Sequence, residues 1–327
     1  MQTKTMTRRT AVAALFIGAT SRAMAQAGAW PARPVKVIVP FAAGGTVDIV
    51  SRYLAERFGA LLGQPFIIDN RPGAGGNMGT EMVVRAPNDG YTLLISGSPT
   101  IAVNPHLYKN LSYDPITDMF PVALIATAPN LLVVNPLLPV KTVEDLVALA
   151  RSKPGQLSFS SAGNGTSGHL AGELFRRLAQ VDIQHVPYKG QADAITGVIR
   201  GDVAFAFVTV AGTLQQVKAG RLRAIAITSK ARSVLAPDVP TVVQSGFPDF
   251  EVLAWYSMAA PKGTPPDIVA RLTREMDKVM KEPATLERLH ILGAEPSFLA
   301  GQAFVDFMVK DSARWGKVIR EAAVTVN

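Results

Sequence analysis

The sequence predicts an α/β protein of two domains, each a mostly parallel sheet flanked by helices, with a ligand cleft between them. Three observations carry this. Short apolar, β-branched runs alternate with helical periodicity, which is the pattern of βαβ units. The plan of strand, glycine loop and helix occurs twice, at residues 35–48 and again at 157–178. The chain has 327 residues, too many for one comfortable core.

Val35, Val37, Ile38 and Val39 make the first strand, nearly continuous in apolar residues as a strand buried on both faces should be. Pro40 ends it, because proline has no N–H to give to the ladder. Gly44-Gly45 turns the chain and bares its backbone, and Thr46 or Asp48 caps the helix that follows. Such a junction is an anion site, since amide N–H groups and the positive end of the helix dipole point the same way. A tight turn that binds nothing is the simpler alternative. The second strand, 66–69, runs into Asn70-Arg71-Pro72-Gly73-Ala74-Gly75-Gly76-Asn77-Met78-Gly79, and a helix over 80–86 follows. Residues 91–95 form a third strand that ends at Ser96-Gly97-Ser98. Ligands on parallel sheets lie beyond the carboxyl ends of the strands. Here those ends, 40–45, 70–79 and 96–98, are all small, polar or glycine-rich.

A second set of units begins with a strand at 131–134. Thr142 caps the next helix, with Asp145 three residues on. The strand 157–161 leads through Ala162-Gly163-Asn164-Gly165-Thr166-Ser167-Gly168-His169 into a helix over 170–178. A strand at 183–186 ends at Pro187-Tyr188-Lys189-Gly190, and one at 203–207 ends at Val208-Thr209. Another covers 222–228. Residues 251–260 carry Trp255 and Tyr256, which belong either to the core or to the cleft. Thr264 caps an amphipathic helix over 266–280, and helices at 284–292 and 301–325 return to the first domain. One domain then comprises 26–127 and 249–327 and the other 128–248. The chain crosses between them twice, as in a hinged clamshell.

Composition narrows the function. With 48% hydrophobic and 18% charged residues the chain is globular. Four of its eight excess positive charges (Lys4, Arg8, Arg9 and Arg22) stand in the first 25 residues. No basic run is interleaved with aromatics, which excludes nucleic acid as a partner. There is no cysteine, so thiolate metal sites and disulfides are excluded. Residues 1–25 read as a signal peptide: a basic Thr7-Arg8-Arg9, an apolar stretch over 11–19 and Ala23-Met24-Ala25 before Gln26, with cleavage near Ala25/Gln26. The apolar stretch is too short to span a bilayer. The expected location is the periplasm, without direct membrane insertion.

Catalytic and cofactor patterns fail one after another. Gly163-x-Gly165-x-x-Gly168 follows a strand, but a dinucleotide site needs an acid at the end of the next strand. Asp182 precedes that strand instead. No G-K-[ST] follows a glycine loop. Ser167 and His169 offer a hydrolase alternative, although His169 stands where G-x-S-x-G needs its last glycine. The four histidines, His106, His169, His185 and His290, lack metal-binding spacing. The expectation is a binding protein with no catalytic residues, metal or cofactor.

The segments P-F-A-A-G-G-T-V-D from Pro40, N-R-P-G-A-G-G-N-M-G from Asn70, S-A-G-N-G-T-S-G-H-L-A-G-E-L-F from Ser161, H-V-P-Y-K-G from His185 and A-G-R-L-R-A-I-A-I-T from Ala219 together resemble the Bug family. These are TctC-like periplasmic solute receptors of tripartite tricarboxylate transporters. The resemblance covers essentially the whole chain after the leader. It implies the periplasmic-binding-protein (Venus flytrap) fold and a small carboxylate in the interdomain cleft, held by backbone amides, small hydroxyls and water instead of an arginine clamp. It implies membrane permease subunits as partners, and a monomer. Matched position by position, Phe41, Ala43, Gly44, Gly45 and Asp48 belong to the first loop, Asn77 and Gly79 to the second, and Ser96 and Ser98 to the third strand end. Ser161, Ala162, Gly163, Thr166 and His169 face them, with Tyr188, Gly190, Val208 and Thr209 alongside. Family members often carry aspartate where this chain has Val208. A carboxylate there receives a ligand amine and valine cannot, so the reading favours a dicarboxylate or an aromatic acid over an amino acid. The same clamshell docking on a signalling membrane protein as a ligand sensor is the other alternative.

Overall fold

A computed structural model describes residues 30–321 and residue 324; the expected signal peptide lies outside these residues. The chain opens with β1 (Val35–Val39), α1 (Thr46–Leu62), β2 (Phe66–Asn70), α2 (Asn77–Val84) and β3 (Thr92–Gly97). After the short α3 (Asn104–Leu107) comes β4 (Met119–Val134). Then follow α4 (Val143–Ser152), β5 (Leu157–Ser161), α5 (Ser167–Ala179), β6 (Ile183–Pro187), α6 (Gln191–Arg200), β7 (Phe205–Thr209), α7 (Val210–Lys218) and β8 (Arg223–Ile227). The chain continues through β9 (Leu253–Pro261), α8 (Pro266–Met280), α9 (Pro283–Ile291), β10 (Glu295–Ala300) and α10 (Gly301–Glu321).

Both expected parallel cores are present. β1 lies parallel between β2 and β3, with Val37 opposite Ile68 and Leu93. β5 lies parallel between β6 and β7. What joins them is antiparallel: the strand order is β2-β1-β3-β9-β4-β7-β5-β6, with β8 and β10 also on β4. β4 is the common spine. Up to Pro129 it pairs with β9, and from Asn130 onward with β7. The sequence reading found only its last residues. Pro121 and Pro129 hide the rest, because proline argues against a central strand; β4 accommodates Pro121 beside a register shift against β9, a bulge that needs one fewer ladder bond.

The cores follow from this arrangement. In the first half, Val50, Leu54 and Phe58 of α1 pack in one cluster with Leu272, Met276 and Val279 of α8. In the second, Phe159, Phe175, Phe205 and Phe207 make a ring cluster with centroids about 6 Å apart, within the range that aromatic pairs prefer.

The helix ends match expectation once and depart from it twice. Thr142 and Asp145 form the expected reciprocal capping box on α4. On α1, however, the N-cap is Gly45, with no side-chain cap. Asp48 turns back past the helix end instead and accepts the Gly44 N–H at 2.9 Å. Thr264 does not cap α8: its hydroxyl donates to the Pro261 carbonyl at 2.7 Å, and Pro265 is the N-cap. Prolines at 265 and 266 carry no N–H, so that helix start has fewer donors to satisfy.

Candidate functional site

A cavity of about 520 Å³ lies where the two parallel cores face each other. Residues 41–43 and 45–47 after β1, Gly97-Ser98-Pro99 after β3 and Ala254-Trp255-Tyr256 of β9 form one side. Ala162, Thr166, Ser167 and Gly168 form the other, with Lys189-Gly190-Gln191 and Phe207-Val208-Thr209 beside them and Asn130 at the β4 crossover.

The first jaw is the turn into α1. Gly44 takes φ +86°, a left-handed conformation that glycine adopts without strain. The buried Asp48 carboxylate holds the turn, accepting the Gly44 N–H, Arg52 Nε at 3.0 Å and Asn70 Nδ2 at 2.9 Å. Burial by itself raises the Asp48 pKa, but the bonds from Arg52, Gly44 and Asn70 outweigh it and hold the carboxyl below its ordinary range. Because no side chain caps α1, the first amides of the helix have no partner within it, and Gly45, Thr46 and Val47 line the cavity.

The second jaw is built alike but braced differently. Thr166 is the N-cap of α5: its Oγ1 donates to the Gly163 carbonyl at 2.7 Å and accepts the His169 N–H at 3.4 Å. Behind the loop, Gly165 N–H donates to His169 Nδ1 at 3.1 Å, and Ser161 Oγ meets His185 Nε2 at 2.7 Å. The two imidazoles stack with centroids 3.9 Å apart. Burial, then the neighbouring His185 and Arg176, pushes His169 down to about 3; burial pushes His185 down to about 4. Both rings are therefore neutral near pH 7. Gly168 lets α5 approach β7: a Cβ there would lie 2.2 Å from the Phe207 carbonyl oxygen. Nearby, α6 begins at Gly190, again without a side-chain cap. The N-termini of α1, α5 and α6 thus open onto one cavity, and among the described residues Lys189 is its only lysine or arginine.

Of the residues expected at the site, Phe41, Ala43, Ser98, Ala162, Thr166, Gly190, Val208 and Thr209 line the cavity. The others stand behind it. Gly44 and Asp48 set the first turn, as described. Asn77 accepts from Asn104 Nδ2 at 2.6 Å and the Tyr113 hydroxyl at 3.0 Å. Ser96 Oγ meets Thr100 Oγ1 at 2.7 Å. Ser161, Gly163 and His169 brace the second jaw, and Tyr188 N–H donates to the Ser161 carbonyl at 3.0 Å. The loop 70–79 supports the first jaw through Asn70 without reaching the cavity. Gly45, expected in the first loop, also lines it, as do Trp255 and Tyr256, which the sequence assigned to core or cleft; Thr46, Val47, Asn130 and Phe207 line it and were not among the expected contacts. For Trp255 and Tyr256 the signal was their place before the returning helices; for Asn130 the sequence carried none.

The hydrolase alternative finds no couple. Ser167 Oγ donates to Asn130 Oδ1 at 3.2 Å. His169 spends Nδ1 on Gly165 and turns Nε2 toward Glu173 Oε1, 4.0 Å away. Among the described residues no group of three His, Cys, Asp or Glu could hold a metal ion, and no helix is long and apolar enough to cross a membrane.

Two α/β cores on a shared spine, facing each other over a cavity ringed by helix N-termini, define a two-lobed solute-binding protein of the periplasmic type. The chain belongs to the family described as tripartite tricarboxylate transporter family receptor (TctC), which it matches over residues 50–324. It is 36% identical over 318 residues to protein BugT of Bordetella pertussis, covering 97% of this chain and 98% of that one. It is 38% identical over 315 residues to a UPF0065 protein of Pseudomonas sp. strain P51, covering 96% and 94%. Among solved structures it resembles R. palustris Rpa4515 with adipate (36% identity, TM-score 0.83, 90% of this chain and 99% of that one). It also resembles MatC from Rhodopseudomonas palustris with bound malate (31%, 0.77, 89% and 100%).

Proposed function

We propose that this chain is an exported, non-enzymatic receptor that closes on a small carboxylate and delivers it to the membrane permease subunits of a tripartite tricarboxylate-type transporter, acting as a monomer in the periplasm. The observation that carries the reading is the convergence of the uncapped starts of α1 and α6 and the first turn of α5 on one cavity whose only lysine or arginine among the described residues is Lys189. Unpaired amides at a helix start favour an anion, and several charge-assisted bonds hold a carboxylate without a formal counter-ion.

Within the described residues, 30–127 with 249–321 form one lobe of this receptor and 128–248 the other. Supporting this, β4 changes partners between Pro129 and Asn130. Phe41, Phe207, Trp255 and Tyr256 give the cavity an apolar body, which suits a dicarboxylate with a methylene chain or an aromatic acid. Val208 at the cavity wall offers nothing to a ligand amine. The adipate and malate held by the two structural neighbours point to the same ligand chemistry. The test is mass spectrometry of the small acid that co-purifies with the protein from its native periplasm, then calorimetry with that acid. Recovery of a cationic or uncharged solute, with no heat from any carboxylate, defeats the reading.

A further inference from the structure

Asn130 is a polar residue of the cleft with an unused side-chain donor. It sits on β4 at the crossover between the two cores, and its backbone is fixed on both sides. Its N–H donates to Thr228 Oγ1 at 2.8 Å, its carbonyl accepts the Thr228 N–H at 2.9 Å, and it lies in register with Thr209 of β7. The residue lines the cavity, yet it is only 1% exposed. Oδ1 accepts the Ser167 hydroxyl at 3.2 Å, while Nδ2 is buried with no hydrogen-bond partner. Turning the carboxamide over exchanges the two atoms and leaves one orphan in either case. A buried amide donor without a partner is destabilising, and a rigidly held orphan beside a ligand cavity is satisfied when a ligand acceptor arrives.

We propose that Asn130 is a specificity-determining residue of this receptor, its Nδ2 donating to a second oxygen acceptor of the bound acid, distinct from the carboxylate held by the helix amides. This rests on the carboxylate reading above. The ligands selected are small acids with a further carboxylate, oxo or hydroxyl oxygen at the end that reaches the β4 crossover. The physical basis is asymmetric: an analogue lacking that oxygen enters the same cavity but leaves Nδ2 unpaired, and a site built to hydrogen-bond a group rejects its absence strongly. The Ser167 hydroxyl, 3.2 Å from Oδ1, anchors the other end of the carboxamide.

The test is calorimetry with a linear diacid, adipate, and the matching monoacid, hexanoate, on the wild type, Asn130→Ala and Asn130→Asp. The wild type is expected to bind adipate at least about tenfold more tightly than hexanoate. Asn130→Ala should lower adipate affinity by about tenfold or more while changing hexanoate affinity by less than about threefold. Asn130→Asp keeps the shape but sets a carboxylate against the ligand's own, and should lose adipate more completely than the alanine variant. An adipate-to-hexanoate ratio that Asn130→Ala leaves unchanged overturns the role of Asn130 and leaves the carboxylate reading intact. Binding of neither acid to the wild type also overturns the role of Asn130 in selecting a linear diacid, while the carboxylate reading stands or falls on the co-purified acid. Thermal melting of the unliganded variants shows whether they fold; if Asn130→Ala does not, the Asn130→Asp ratio decides alone, an unchanged one again overturning the role.

Discussion

Asp311 of α10 accepts the indole N–H of Trp255 at 2.8 Å, so the last helix of the chain holds a wall of the cavity. The same carboxylate accepts the Trp315 indole at 3.2 Å and pairs with Arg314 at 2.5 Å. Trp255 in turn packs edge-on against Phe304 and Phe307. Asp311→Ala strands two indole donors and loosens Trp255, which lines the cavity. The expected outcome is a loss of about 2 kcal/mol of stability and weaker binding of the co-purified acid. Denaturant unfolding followed by tryptophan fluorescence checks the first and calorimetry the second. Unchanged stability would show that the buried carboxylate contributes no net energy there.

Asp48→Ala tests the first jaw. The carboxylate is 2% exposed and supplies bonds to Gly44, Arg52 and Asn70, none of which alanine replaces. About 1–3 kcal/mol of stability should be lost, and ligand affinity should fall because the amides beside Gly44 lose their fixed direction. The native pKa is depressed, so this contribution is present above the unfolded value of 3.8 and disappears as pH drops through the native one. The wild type and Asp48→Ala should therefore converge in stability at strongly acid pH.

How much of this was readable follows from how each residue is placed. Phe41, Ala43, Ala162 and Thr166 stand a few residues beyond a strand end, and local chain order alone puts such residues at the mouth of a parallel sheet. Asn77 and Ser96 share that local address but are drawn behind the wall by Asn104, Tyr113 and Thr100, partners that no local pattern names. Trp255, Tyr256 and Asn130 reach the cavity only because β9 and β4 pair antiparallel across the middle of the sheet. That pairing joins segments more than a hundred residues apart, and the prolines in β4 obscure one of its strands. Gly45 as the cap of α1, in place of Thr46 or Asp48, has the same origin: Asn70 and Arg52 engage the Asp48 carboxylate and turn it away from the helix start.

The stacked histidines predict an acid-sensitive second lobe. His169 and His185 titrate natively at about 3 and about 4, against 6.5 when unfolded. Below 6.5 the unfolded chain binds protons that the native rings refuse. The stability from these rings is thus complete above pH 6.5 and declines as pH falls toward 4, by up to about 1.4 kcal/mol per pH unit for each ring. The groups facing them modify this. Arg176 opposes protonation of His169, while the buried Glu173, whose pKa is raised, takes up a proton natively and offsets part of the loss. Urea midpoints should be level from about pH 7.5 to about pH 6.5 and then fall down to about pH 4.5, and His185→Gln should flatten that fall by roughly half. A flat wild-type profile across that range would remove the pair as an acid-labile element.

Gly168→Ala separates the position of the second jaw from its chemistry. The substitution adds no charge and removes no hydrogen-bonding group, and alanine favours a helix more than glycine does. Its Cβ, however, would sit 2.2 Å from the Phe207 carbonyl oxygen, so α5 must move away from β7. Overpacking of this kind costs about 1–3 kcal/mol. The displaced amides of Ser167 and Gly168 should lower ligand affinity by more than the folding penalty alone explains. Lys189→Met is the companion measurement. Lys189 is exposed, and a solvated ammonium contributes about 1 kcal/mol or less; its loss should weaken binding less than about tenfold and reduce the salt dependence. If Lys189→Met costs more affinity than Gly168→Ala, the anion is held chiefly by the lysine, and the helix amides are secondary.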